Sequence, residues 1–240
     1  MRYLKAENLK FRHSVSKKLA VLFPVFTFLL SLLSGSFMQL SALNWWYTTM
    51  LPGCLSILCV LADQKDGKKL GYRAVYTLPV SLKRAWCAKA AVSGLYAACS
   101  TAVLIGAVLL SGVFLPNPMP VWCVFAGGLL MVVTTLWQIP LCLFLSRKLG
   151  MAGTVLLNTA LGIFFGILCS TKTFWWVCPY SWTLRLLTPV LGILPNGLPA
   201  QSGDPLLNPS SVPVGLVLSL LLFAVLTVLT ARWFRNREAG

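Results

Sequence analysis

Six blocks of this chain, at 19–36, 43–62, 90–114, 121–145, 151–170 and 212–231, contain no Asp, Glu, Lys or Arg. A helix needs about 20 such residues to cross a hydrocarbon core. The blocks lack the period of 3.6 or 2 that marks half-buried helices and strands. Of the 240 residues, 58% are hydrophobic and 10% charged, against about 25% charged in soluble domains. A soluble globule of this size cannot hide that much apolar surface. A membrane barrel would show alternating segments of about 10 residues, and the chain has none. The expected fold is all-α: a single transmembrane domain over 1–240, crossing a bilayer six times with both termini cytoplasmic.

The net charge is +15. In a soluble chain that would suggest nucleic acid. Here 18 of the 20 cations fall in four segments that six crossings put on one side: residues 1–18, 63–89, 146–150 and the C-terminus. Only Lys172 and Arg185 fall on the other side. Such asymmetry makes the basic side cytoplasmic. The cations then read as topology signals facing anionic membrane lipid, and no nucleic-acid partner is expected.

Two stretches depart from plain spans. Residues 1–18 hold six cations, with Leu4, Phe11 and Val15 on one side of a helix. They read either as a helix lying on the inner membrane surface or as a solvated basic tail. Ser34-Gly35-Ser36 resembles a cleavage site, but the preceding charged segment is long for a signal peptide and contains Glu7. Residues 171–211 are apolar in their first half yet broken by six prolines. A seventh span there would carry the C-terminal arginines outward. Short re-entrant helices in the outer leaflet, packed against protein, fit better.

The chemistry of many enzymes and carriers is missing. All five acids lie outside the blocks, which argues against ion-coupled transport, because charges are kept in spans where function needs them. Gly67-Lys68-Lys69 lacks the upstream glycine and the hydroxyl of a phosphate loop. His13 is the only histidine and has no nucleophile or carboxylate set around it. The eight cysteines are scattered without a C-x-x-C. No catalysis, cofactor, metal site or structural disulfide is expected, so energy for any work must come from a partner.

The 63–89 loop carries the most information. Tyr72-Arg73 is followed by Thr77-Leu78-Pro79-Val80-Ser81-Leu82-Lys83-Arg84 and Lys89. Pro79 stops one segment and Ser81 is a good N-cap for the next helix. The loop reads as a docking surface for a soluble subunit, or as a positive-inside loop alone. Trp45, Trp46 and Tyr47 open the second block, and Trp175, Trp176, Tyr180 and Trp182 follow the fifth. They read either as an interfacial aromatic belt or as an outer surface gripping an amphipathic peptide, whose lysines could stack on the rings. Gly162-x-x-x-Gly166 lets a backbone approach closely, within this chain or from a second membrane subunit.

These stretches resemble ABC-2 type transporter permeases, and more closely the E-type subunits of lantibiotic-immunity permeases. The matching pieces are Lys5-Ala6-Glu7-Asn8-Leu9-Lys10, Asn44-Trp45-Trp46-Tyr47, the Tyr72-to-Lys89 loop and Leu191-Gly192-Ile193-Leu194-Pro195-Asn196-Gly197-Leu198-Pro199. They follow the family's order across nearly the whole chain. The resemblance implies an amphipathic entry helix, a coupling helix between spans two and three, and re-entrant helices between spans five and six. It implies a separate ABC ATPase, a second related permease, and removal of a cationic antimicrobial peptide from a bacterial cell membrane. Carried onto this chain, the ATPase contacts would be Tyr72, Arg73, Leu78, Pro79, Ser81, Lys83 and Arg84. The rival reading is a membrane scaffold or sensor partner that transports nothing.

Overall fold

A computed structural model describes residues 2–12, 15–67 and 81–236. Among these residues there is no β-strand, only one isolated bridge between Ile193 and Pro199. The helices are α1 (Arg2–Arg12), α2 (Val15–Ser31), α3 (Met38–Trp45), α4 (Leu51–Gly67), α5 (Leu82–Ser111), α6 (Val121–Thr135), α7 (Gln138–Ser170), α8 (Pro179–Leu191) and α9 (Ser211–Asn236).

Four helical runs are long and apolar enough to cross a membrane: Val15–Asp66, Leu82–Phe114, Gln138–Ser170 and Ser211–Asn236. Val121–Thr135 is apolar but shorter. Two of the long runs are not straight. Gly35 (φ 55°, ψ −122°) breaks the first, and Gly150 (φ 70°, ψ −164°) breaks α7. Only glycine reaches such angles cheaply. Past Gly35, α4 packs back against α2. Past Gly150, Asn158 donates from Nδ2 to Gln138 Oε1 at 3.0 Å. In a straight helix those two residues would stand about 30 Å apart. Both glycines are therefore reversals that one unbroken apolar pattern conceals.

The bundle is apolar inside and out. Its core includes Leu43, Trp46, Leu55, Trp86, Leu104, Met131 and Ile139, all essentially buried. The outer faces are apolar too: α9 exposes Val217, Leu221, Val225 and Leu229. Water would penalise such a surface, whereas lipid would not. Several buried hydroxyls bond to their own helix, as Thr101 does to Ala97 O and Thr230 to Leu226 O, which pairs those polar groups inside apolar surroundings.

Some boundaries expected from sequence move. Within the stretch 63–89, α4 persists to Gly67 and α5 begins at Leu82, and residues 68–80 lie outside the described residues. Residues 2–12 are helical, but Leu4, Phe11 and Val15 do not share an environment. Phe11 is buried against Tyr96, Ala62 and Val92, while Leu4 and Val15 are exposed. The side of α1 that faces protein carries Glu7 and Phe11.

Candidate functional site

The end of the bundle that carries α1 holds a buried ion cluster. Lys10 donates from Nζ to Glu7 at 2.6 Å and to Asp66 at 2.7 Å. Lys89 Nζ lies 2.6 Å from Asp66 and 3.8 Å from Asp63. Arg147 Nε donates to Asp63 Oδ1 at 3.0 Å, and Ser146 Oγ donates to Oδ2 at 3.1 Å. Three carboxylates thus meet three cations, drawn from α1, α4, α5 and α7. The Lys89, Asp63 and Arg147 side chains are at most 4% exposed. Ions so buried are tolerable only when paired. The Arg147 guanidinium also lies 4.3 Å from the Phe234 ring, a cation–π contact that draws in α9. Trp86 Nε1 adds a hydrogen bond to Thr230 on the same helix at 2.9 Å.

This cluster sits where the described chain stops and resumes on either side of residues 68–80. Asp66 lies just before them and Ser81 just after. Helix α1 reaches both: Lys10 holds Asp66 and accepts at its own carbonyl from Lys65 Nζ, while Tyr3 Oη accepts from the Ser81 N–H at 3.1 Å. Burial alone would lower the Lys10 pKa, but its bonds to Asp66 and Glu7 outweigh that and raise it above the usual lysine value.

Of the residues that the resemblance marks for ATPase contact, Tyr72, Arg73, Leu78 and Pro79 lie outside the described residues. Ser81 is exposed and stands at the N-cap position of α5, though its hydroxyl makes no capping bond. Arg84 is exposed and Lys83 half-buried.

At the opposite end, α8 lies across three helices at their glycines. Leu191 meets Gly127 of α6, Tyr180 and Leu184 meet Gly166 of α7, and Leu186 meets Gly215 of α9. At 13 residues α8 is about 20 Å long, too short for a hydrocarbon core of about 30 Å. The Gly162-x-x-x-Gly166 face therefore packs within the chain, Gly162 against Tyr180 and Pro52.

The seven aromatics divide. Trp46 is fully buried, with Nε1 donating to Thr101 at 3.2 Å, and Tyr47 is buried beside it in the core. Trp182 is buried, with Nε1 on the Trp176 carbonyl at 3.1 Å. Tyr180 is half-buried, and its hydroxyl donates to Asn158 Oδ1 at 3.1 Å. The Tyr180 and Trp182 rings meet at Trp137, at 4.8 and 6.4 Å. That leaves Trp45 and Trp176 exposed and Trp175 half-exposed, with the Arg185 guanidinium 6.0 Å from the Trp175 ring. The four with buried rings or spent polar atoms hold the fold together and offer a ligand little.

Trp45 stands beside a different segment. It lines a groove of about 470 Å3 with Phe37, Leu40, Asn44, Asn196 and Leu198. Asn44 and Gly197 approach so closely that a Cβ on Gly197 would lie 2.7 Å from Asn44 Nδ2. Two motifs 150 residues apart in the chain thus form one surface. Nothing in the sequence brings together the ion cluster, the Asn158 bonds to Gln138 and Tyr180, or this groove. The cluster alone left a trace, since Glu7/Lys10 and Asp63/Asp66 sit at a three-residue helical spacing.

No protein-family model, curated protein or solved structure matches the chain.

Proposed function

We propose that this chain is the membrane subunit of an ATP-driven ABC transporter, a lantibiotic-immunity permease of the ABC-2 type, which removes a cationic antimicrobial peptide from a bacterial cell membrane. In this reading the chain crosses the membrane six times. The reversals at Gly35 and Gly150 divide two of the long apolar runs, and α6 is completed by the first part of α7. The end bearing α1 and the ion cluster faces the cytoplasm, in keeping with 18 of 20 cations on that side. Helix α8 is a re-entrant element of the outer leaflet.

The observation that carries the proposal is the clamp on the two helix ends that flank residues 68–80. A loop that only marked topology would need no such base. A loop that receives force from a soluble ATPase does, because thrust on a loose loop would be lost before it reached the helices. The clamp links that loop to α1, α4, α5, α7 and, through Arg147, α9. ATP would be hydrolysed by the separate partner, and a second, related permease would complete the pore.

The test is to sequence the genes flanking this one and, if they encode an ABC ATPase and a second permease, to co-express both with the tagged chain; flanking genes that encode neither count against the proposal. The ATPase should co-purify, and ATP turnover in proteoliposomes should rise several-fold on adding the lantibiotic to which cells expressing the three proteins become tolerant. No co-purification, together with unchanged tolerance to every lantibiotic tried, would leave the non-transport scaffold as the better account.

A further inference from the structure

We infer that the groove between Trp45 and the 193–199 turn binds an uncharged stretch of the transported peptide, recognising main-chain carbonyls and apolar side chains rather than positive charge. This rests on the reading of the chain as a peptide permease.

The groove's volume of about 470 Å3 falls within the range of small-molecule sites, so it takes a few residues and not a whole peptide. Its walls are apolar and open: Phe37 is 60% exposed, Trp45 50% and Leu198 61%. Exposed groups of this size at the end of a span suit a ligand that partitions into the same interfacial layer. Its polar groups are neutral donors. Asn44 accepts at Oδ1 from Thr48 at 3.5 Å, and Asn196 accepts at Oδ1 from the Leu198 N–H at 3.1 Å. Among the described residues, neither carboxamide Nδ2 makes a hydrogen bond. Ser41 accepts from Ser34 at 2.9 Å, which leaves its own proton to give. Donors without acceptors call for a ligand rich in carbonyls.

No charged residue lines the groove. Across 171–211 the ionisable side chains of Lys, Arg and Asp are Lys172, Arg185 and Asp204, two cations against one acid. That end of the molecule gives a cationic peptide no electrostatic attraction. A lipid phosphate would want cations, and the groove has none. An acyl chain would leave three donors unused. An uncharged peptide segment uses both the donors and the apolar wall.

The probe is the lantibiotic to which cells become tolerant, added to the purified chain in nanodiscs of zwitterionic lipid. Asn44→Ala combined with Trp45→Ala should weaken binding about tenfold, whereas Trp45→Phe alone binds like the unaltered chain. Gly197→Ala, which drives a Cβ into Asn44, should weaken it as well. Binding should change by less than about twofold between 50 and 500 mM NaCl, because no ion pair is there to be screened. Acetylating the peptide's lysines should leave affinity unchanged. Unchanged affinity in the double variant, with the size-exclusion profile preserved, would overturn the inference. So would a steep fall with salt, or a groove-bound lipid that the peptide fails to displace. In each of those cases peptide-stimulated ATP turnover would persist and the permease reading would stand. Loss of stimulated turnover in the unaltered complex would instead sink the permease reading itself.

Discussion

Lys89 shows how much one side chain can be asked to hold. It is 3% exposed and lies between Asp66 and Asp63, which are also bonded to Lys10 and Arg147. Replacing it with methionine would fill similar space and leave two buried carboxylates short of a cation. Breaking a buried pair by removing one partner costs about 3–5 kcal/mol. Lys89→Met should therefore lower the Tm of the purified chain in detergent by several degrees. Adding Asp66→Asn should recover part of that loss, because the two residues are directly coupled. If the double variant is as unstable as the sum of the two single changes, the pair is not coupled. Lys10 bears on pH as well. Its folded pKa is raised, so the stability it contributes is complete below the unfolded value of about 10.4. That contribution is lost only as pH climbs through the higher folded value. The hold of Lys10 on Asp66 is thus not a switch at physiological pH.

At this same scale the sequence is least readable. Glu7, Lys10, Asp63, Asp66, Lys89 and Arg147 are spread over 140 positions, and each falls in a segment whose basic character already has a sufficient explanation in topology. That three of only five acids join one cluster was visible in the composition, but their meeting was not, since it depends on how four helices pack. Trp45 and Trp46 make a similar point. They are adjacent and identical in type, yet one is half exposed and the other fully buried. Successive residues of a helix point about 100° apart, and nothing in a run of aromatics says which of them faces protein.

Among the elements, α8 depends on small residues beneath it. A Cβ on Gly127 would lie 2.6 Å from Leu191, and one on Gly215 would collide with Leu186. Gly127→Val and Gly215→Val should each lift α8 off the bundle and destabilise the chain by about 1–3 kcal/mol, the usual cost of overpacking. Gly106→Ala on α5 is the control: nothing lies within 4 Å of its added methyl, and gaining helix propensity should leave stability equal or slightly higher. Thermal unfolding of the three purified variants would check both expectations. Equal stability across all three would mean that α8 does not rest on these glycines. The existence of the apolar blocks and of a proline-broken interval was legible from sequence, because each is a local property. The placing of α8 across α6, α7 and α9 was not, because Gly127 and Gly215 look like ordinary glycines until the helix above them is known, and the Gly162-x-x-x-Gly166 spacing signals a close approach without saying what approaches.

For the molecule as a whole, the proposed arrangement makes a two-sided prediction. Ser202 lies in the turn beyond α8, Lys148 beside the Gly150 reversal and Arg235 in the last turn of α9. With six crossings, Ser202→Cys should react with a membrane-impermeant maleimide in intact cells. Lys148→Cys and Arg235→Cys should react only after permeabilisation. The labelling would be made in a background where the eight native cysteines, all free thiols, are replaced by serine or alanine. Labelling of Arg235→Cys from outside would overturn the arrangement.

The ion cluster also has a consequence in the time domain of synthesis. Five of its six ions, Glu7, Lys10, Asp63, Asp66 and Lys89, belong to the first 90 residues, and they sum to one net negative charge. The balancing Arg147 is made 58 residues after Lys89. At ordinary rates of synthesis that interval lasts roughly 3–12 s. For those seconds the nascent N-terminal helices hold an acid with no permanent counter-ion, and they cannot close until the second half of the chain arrives. The N-terminal helices therefore cannot complete that seal by themselves, and a chain cut short before Arg147 leaves it unfinished.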